Sequence, residues 1–110
     1  MANFRTLRIY HQAQQQLRDV AEVAQGVRFG DLGNQIRRAA ISVVSNLVEG
    51  AGRGSDTDFA RFLRMARGSN DEVAAQLEMV AVLNGADLTR VLTANERLGK
   101  GICALIGRLG

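Results

Sequence analysis

Not one of the 110 residues of this chain is proline. About 5% of the residues in an ordinary domain are proline, and inside a helix proline removes a backbone donor and clashes with the preceding turn. Only glycine then remains as a strong interruption, and it occurs 12 times. This composition favours long, uninterrupted helices that are separated by glycine-containing turns.

Apolar residues recur every three or four positions in four segments, which is the spacing of amphipathic helices. The residues predicted to face the core are Tyr10, Ala13, Leu17, Val20 and Ala24; Leu32, Ile36, Ala40, Val43 and Leu47; Phe59, Phe62, Leu63, Ala66, Val73, Leu77 and Val80; and Val91, Leu98, Ile102, Leu105 and Leu109. The predicted boundaries are Gly26 after the first helix; Asp31 as N-cap and the glycine-rich stretch 50–54 around the second; Ser55 and Asp58 as a capping box and Gly85 around the third; and Thr89 as N-cap of the fourth. Short connections make neighbouring helices antiparallel. We therefore predict an all-α, antiparallel up-down-up-down four-helix bundle that forms a single domain over residues 1–110.

The rare reactive residues exclude several classes of protein. The single cysteine, Cys103, cannot form an internal disulfide, which suits a reducing compartment, and we expect it to be a small buried hydrophobe. His11 is the only histidine, so one subunit offers no zinc ligand set. Neither Ser42 nor Ser45 has an obvious base one turn away, which argues against a serine nucleophile. We predict no catalytic residues, no metal, no cofactor and no enzymatic activity. We expect no secretory leader and no membrane-spanning segment, which predicts a cytoplasmic protein.

The charge is unevenly distributed along the chain. Residues 28–67 contain seven arginines and four acids, while the rest contains seven basic and seven acidic residues, so the net charge of +3 lies in the middle. Five arginines of the second and third helices are the candidate phosphate contacts, namely Arg37, Arg38, Arg53, Arg61 and Arg64. The planar guanidinium suits phosphate, but it suits a carboxylate across an interface equally well. No aromatic residues interleave with these arginines in the manner of proteins that stack bases.

The second helix has more apolar surface than one bundle core requires. Ile41, Val44 and Val48 form a patch beside the predicted core stripe. Such a patch fits either a wide core face or a contact between subunits. In the second interpretation, the polar residues Asn46, Glu49 and Arg67 join the interface. Gly99, Gly101 and Gly107 in the fourth helix fit either close backbone approach to a neighbour or a frayed helix end.

Five short motifs occur in order along nearly the whole chain. They are Phe4-x-x-Leu7-x-x-Tyr10-x-x-Ala13; Gly30-Asp31-Leu32-x-x-Gln35-Ile36-Arg37-Arg38-Ala39-Ala40; Ser45-Asn46-Leu47-Val48-Glu49-Gly50; Phe59-x-x-Phe62-Leu63-x-x-Ala66-Arg67-Gly68-Ser69; and Glu72 with Gln76-Leu77. Together they resemble the bacterial 23S rRNA intervening-sequence proteins, which are four-helix bundles. Tyr10 stands where that family usually has tryptophan, Asp31 is an unusual residue at its position, and the loop 26–29 is shorter than usual and lacks the usual proline.

The resemblance implies an antiparallel bundle that assembles into a ring, expected to be a homopentamer. Some members of the family are encoded within insertions in large-subunit ribosomal RNA genes, and a distant relative that assists a reverse transcriptase uses a basic ring to contact that enzyme and nucleic acid. No catalytic residues carry over. The leading hypothesis is a non-enzymatic homo-oligomer that binds RNA or a ribonucleoprotein through its arginine patch. The alternative is a protein–protein scaffold in which Arg37, Arg38 and Glu49 hold the subunits together.

Overall fold

The computed structural model describes residues 3–110 and confirms the all-α fold. A 3₁₀ turn at Phe4–Thr6 precedes the four helices, which are α1 (Arg8–Gln25), α2 (Leu32–Ala51), α3 (Asp56–Asn84) and α4 (Thr89–Leu109). Each helix packs against the next, and α1 also packs against α4, which closes the bundle. Among the described residues, no helix combines the length and the apolarity needed to cross a membrane.

Contacts between helices fix their directions. Ser42 of α2 meets Ser69 of α3, and about two turns later Gly50 lies against Phe62. Because the residue number rises in α2 while it falls in α3, these two helices are antiparallel. The same reversal relates α1 to α4, through Ile9–Gly101 and then Gln16–Asn95, and α3 to α4, through Arg67–Cys103 and then Asn70–Asn95.

Two of the predicted helix starts are confirmed in position. The Ser55 hydroxyl accepts a hydrogen bond from the Asp58 amide at 3.1 Å, as expected for an N-cap. The reciprocal half of the predicted capping box is missing, because the Asp58 carboxylate lies 3.5 Å from the Arg61 Nε instead. Asp31 occupies the N-cap position of α2, but its side chain makes no capping bond to the backbone. Its carboxylate has another role, described below.

The predicted N-cap of α4 is wrong by one residue. Thr89 is the first residue of the helix, and the cap position belongs to Leu88. The Asp87 carboxylate accepts hydrogen bonds from the Thr89 hydroxyl at 2.6 Å and from the Thr89 amide at 3.0 Å. These two bonds hold the pKa of Asp87 below its ordinary value. An aspartate two residues before the helix therefore organises this start.

The predicted core stripes are confirmed, with partial burial at their edges. All of the predicted core residues are buried except Tyr10, Leu17, Leu105 and Leu109, which are partly buried. Cys103 was predicted to be buried, and this was wrong: it is exposed, and its Sγ lies 4.0 Å from an Arg67 nitrogen. It lies one position beyond the fully buried Ile102. A rotation of 100° per residue turns its side chain out of the core.

The core also contains a polar cluster that the apolar spacing does not reveal. Gln16, Asn70 and Asn95 are each at least 94% buried and come from three different helices. The Asn95 amide donates to the Gln16 side-chain oxygen at 2.8 Å and to the Asn70 backbone and side-chain oxygens at 3.1 Å each. Gln16 in turn donates to Asn70, and Asn70 donates to the Asn95 carbonyl. We call these three residues the amide cluster.

Two of the three α4 glycines are explained by close approach of neighbouring helices. A Cβ at Gly101 would lie 2.8 Å from the Ile9 Cγ2, and a Cβ at Gly99 would lie 3.3 Å from the Asn70 amide nitrogen. At Gly107 a Cβ would meet nothing within 4 Å. Gly101 thus allows α1 to pack against α4, and Gly99 leaves room for the amide cluster.

Candidate functional site

A polar seam joins α2 to α3 along the face that carries most of the predicted arginines. The hydroxyls of Ser42 and Ser69 are hydrogen-bonded at 2.8 Å. The Asn46 amide donates to the Ser42 carbonyl at 2.9 Å and to its hydroxyl at 3.2 Å. The motif residue Asn46 is therefore held by a residue of the same helix, and it contacts the serine that bridges the two helices.

The glycine that ends the Ser-Asn-Leu-Val-Glu-Gly motif has a packing role. A Cβ at Gly50 would lie 2.9 Å from the Phe62 Cβ and 3.0 Å from the Phe59 Cδ1. The absence of a side chain at Gly50 lets the end of α2 lie directly on α3. This close approach places Phe62 beneath the turn that contains Arg53.

Two of the predicted arginines meet over this phenylalanine. The guanidinium carbons of Arg53 and Arg61 lie 4.7 and 4.6 Å from the centre of the Phe62 ring. Phe62 itself is buried, so it orients the two cations by cation–π contact and offers no free face to a base. Sequence analysis missed this role, although Phe62 directly follows Arg61. Arg53 also pairs with Glu49 at 2.6 Å.

The other two arginines of α2 lie near its beginning. An Arg38 nitrogen lies 3.0 Å from the Asp31 carboxylate, and Arg37 donates to the Asn34 side-chain oxygen at 3.1 Å. Asn34 also donates to Asp31, so one small network holds both guanidiniums. The hydrogen bond from Asn34, followed by that from Arg38, holds the pKa of Asp31 below its ordinary value. Asp31, the residue that is unusual for the family at this position, therefore has a structural role: its carboxylate orients Arg38.

The five predicted arginines do not form one cluster. Fifteen positions separate Arg38 from Arg53, a distance of about 22 Å along an ideal helix. Arg64 is exposed between these ends and forms no ion pair within residues 3–110. Arg67, which was predicted to join the subunit interface, lies beside Cys103 on the α3–α4 side. The site is thus a long face with an arginine pair at each end.

The second apolar patch of α2 is partly core and partly surface. Val44 packs against the core and Val48 is half-buried, whereas Ile41 is 50% exposed. A further exposed apolar stripe, absent from the predictions, follows the end of α3 through Met79, Val82 and Leu83. Val82 and Leu83 follow Met79 by three and four residues, so all three lie on one helix face. This spacing could have revealed the stripe from the sequence.

No group of three metal-ligating side chains comes together within the part of the chain that the structure describes. The arrangement is suited to binding by many weak polar contacts. Arg38, Arg53 and Arg61 are exposed, and each of them has a carboxylate partner nearby in the sequence.

The family model described as 23S rRNA-intervening sequence protein matches residues 5–102 of the chain. The match includes α1, α2 and α3 completely and most of α4. No curated protein matches the chain at a significant level.

Proposed function

Since the chain belongs to the family of 23S rRNA-intervening sequence proteins, we propose that it is a non-enzymatic, cytoplasmic homo-oligomer that binds RNA through arginines of α2 and α3. The observation that carries this proposal is the exposed, oriented state of these cations. Arg38 and its partner Asp31 are 65% and 54% exposed. Arg53 and Arg61 are exposed as well, and both are anchored over Phe62.

The energetics of these pairs favour exchange for phosphate. An exposed ion pair contributes only about 0–1 kcal/mol because water screens both charges. A phosphate oxygen replaces the carboxylate at little cost, while the guanidiniums of Arg53 and Arg61 remain directed by Phe62. The charge of one subunit is only +3. Assembly into a ring, expected to have five members, multiplies this weak field and lets several subunits hold one RNA.

Salt dependence tests the phosphate contacts directly. For the double variant Arg38→Ala with Arg61→Ala, we expect binding to a single-stranded RNA to weaken several-fold. The slope of log K against log salt concentration should become shallower by about 1.4, since each phosphate contact contributes about 0.7. Fluorescence anisotropy across a salt series measures both quantities.

Arg18→Ala is the control for position, because it removes a positive charge from an exposed site on α1, although only one charge where the double variant removes two. It should leave the slope almost unchanged. Wild-type binding that does not respond to salt at all contradicts phosphate contacts.

The second candidate function is a protein–protein scaffold, and exposed apolar surface favours it. Ile41 and Met65 are about half exposed, and Val82 is 82% exposed. Gly68 lies in the interior of α3, where a Cβ would meet nothing within 4 Å. A glycine there costs about 1 kcal/mol relative to alanine without any benefit inside the subunit. Close approach of a second subunit supplies a reason for it.

In the scaffold, Glu49 pairs with an arginine across the subunit interface, so Glu49→Ala is expected to dissociate the oligomer. Light scattering measures the mass before and after the change. Glu22→Ala, which removes another exposed acid, from α1, is the control and should leave the mass unchanged. An intact Glu49→Ala oligomer excludes the interface role and leaves Glu49 as the partner of Arg53.

A further inference from the structure

We propose that the groove between the start of α1 and the second half of α4 binds a small ligand that carries a phosphate group. This site lies between α1 and α4, whereas the RNA surface proposed above lies on α2 and α3. It goes beyond the proposed function, and the RNA proposal does not depend on it.

The groove brings together three arginines that are far apart in sequence. Arg8 comes from the first turn of α1, and Arg97 and Arg108 come from α4. They line a volume of about 520 Å³ together with the amide of Gln12. Among residues 3–110, no aspartate or glutamate lines this groove. Its three positive charges equal the net charge of the whole chain.

None of these three guanidiniums has an acidic partner in the described part of the chain, whereas four of the ten other arginines do. Within residues 3–110, Arg8, Arg97 and Arg108 make no side-chain hydrogen bond and no ion pair. By contrast, Arg38, Arg53, Arg61 and Arg90 each have a carboxylate within 3.6 Å. Like charges around one concave surface repel each other, and a bound anion relieves that repulsion.

The floor of the groove is built by the packing of α1 on α4. Gly101 admits the Ile9 side chain, whose Cγ2 would lie only 2.8 Å from an added Cβ. This close contact holds the N-terminus of α1 beside the arginines of α4. That N-terminus has no side-chain cap and no acidic residue in its first turn. The positive end of the helix dipole therefore adds to the field of the three guanidiniums.

The chemistry of the lining points to phosphate and to a small molecule. A lining of arginines without any carboxylate suits the two negative charges of a phosphate monoester better than the single charge of a carboxylate. Leu7 and Leu105 provide an apolar wall beside them. A volume of 520 Å³ lies within the range of ligand pockets, about 300–1,000 Å³, and accommodates a mononucleotide.

Isothermal titration calorimetry on the full chain tests the site with AMP, pyrophosphate and adenosine at constant ionic strength. AMP should bind saturably, and adenosine, which lacks the phosphate, should produce no binding heat. Arg97→Ala and Arg8→Ala should each weaken AMP binding at least 10-fold, with circular dichroism confirming that both variants are folded. Tighter binding of AMP than of pyrophosphate assigns the site to nucleotides. Equal affinity assigns it to free phosphate compounds.

The matched controls are Arg18→Ala on α1 and Arg38→Ala on α2, which remove the same charge elsewhere. Both should leave AMP binding unchanged, and Arg38→Ala should affect only the binding of RNA. The proposal is overturned if AMP does not bind saturably, if adenosine binds as tightly as AMP, or if Arg18→Ala weakens binding as much as Arg97→Ala. None of these outcomes bears on the salt dependence of RNA binding, so the two proposals fail separately.

Discussion

Asn95→Asp is expected to lower the free energy of unfolding by about 3–5 kcal/mol, as for a buried charge that has no partner. The change is nearly isosteric, so the loss comes from charge and hydrogen bonding and not from packing. The Asn95 amide group donates to three oxygens, at 2.8, 3.1 and 3.1 Å. In the Asn95→Asp variant, a negatively charged carboxylate oxygen faces these three acceptor oxygens, so the hydrogen bonds are lost and the oxygens repel each other. Since a domain is stable by only about 5–15 kcal/mol, this loss is a large fraction of the total.

Urea unfolding at several pH values measures the effect and its cause. Burial among oxygens raises the pKa of the introduced carboxyl above its value in the unfolded chain. The penalty is therefore greatest at neutral pH and diminishes, relative to wild type, as the pH falls toward about 4. Gln35→Glu makes the same chemical change at an exposed position of α2 and should alter stability by less than about 0.5 kcal/mol. Equal stability of Asn95→Asp and wild type at neutral pH would mean that the amide cluster is not buried as described.

Gly50→Ala is expected to destabilise the protein by about 1–3 kcal/mol, although alanine is the better helix former. The added methyl group would lie 2.9 Å from the Phe62 Cβ, which is the rigid root of that side chain, and 3.3 Å from the Phe59 carbonyl. Neither atom moves without a shift of α3 relative to α2. Such a shift also displaces the ring on which Arg53 and Arg61 rest, so we expect the variant to bind RNA less well.

Gly107→Ala is the control for this substitution, because a Cβ there meets nothing within 4 Å. It should raise stability slightly, by up to about 1 kcal/mol, through helix propensity alone. Thermal unfolding of the two variants beside the wild type gives the comparison. If Gly50→Ala also becomes more stable, the close approach of α2 to α3 is not required.

The apolar spacing predicted the buried stripes well because burial follows a helical period that the chain itself carries. Residue type was the poorer guide: Cys103 was expected to be buried as a small hydrophobe, although it lies one residue of rotation away from the buried Ile102 and is exposed. The apolar spacing passed over Asn70 and Asn95, since an amide counts as polar wherever it occurs. Whether an amide is buried depends on partners 25 and 79 residues away in sequence.

The charge counted along the sequence also failed to predict where a basic surface lies in the fold. Counted along the chain, the residues outside 28–67 are neutral, which led the sequence analysis to place the basic excess on α2 and α3 alone. In the fold, one groove is lined by Arg8, Arg97 and Arg108, while Glu96 pairs with Lys100 outside that lining. The residues outside 28–67 have no net charge, yet they form a basic groove, because antiparallel packing places the start of α1 beside the end of α4.

By itself, the sequence determined the four helices, the direction of each, the buried apolar faces and the family. These depend on local periodicity, turn glycines and motifs that a single chain displays in order. Only the tertiary structure decided which polar groups meet: the amide cluster, the arginine pair over Phe62, the Asp31–Arg38 contact and the three arginines of the α1–α4 groove. The physical reason is that hydrogen bonds and charges act over a few ångströms in space, and packing sets those distances between residues that the sequence keeps apart.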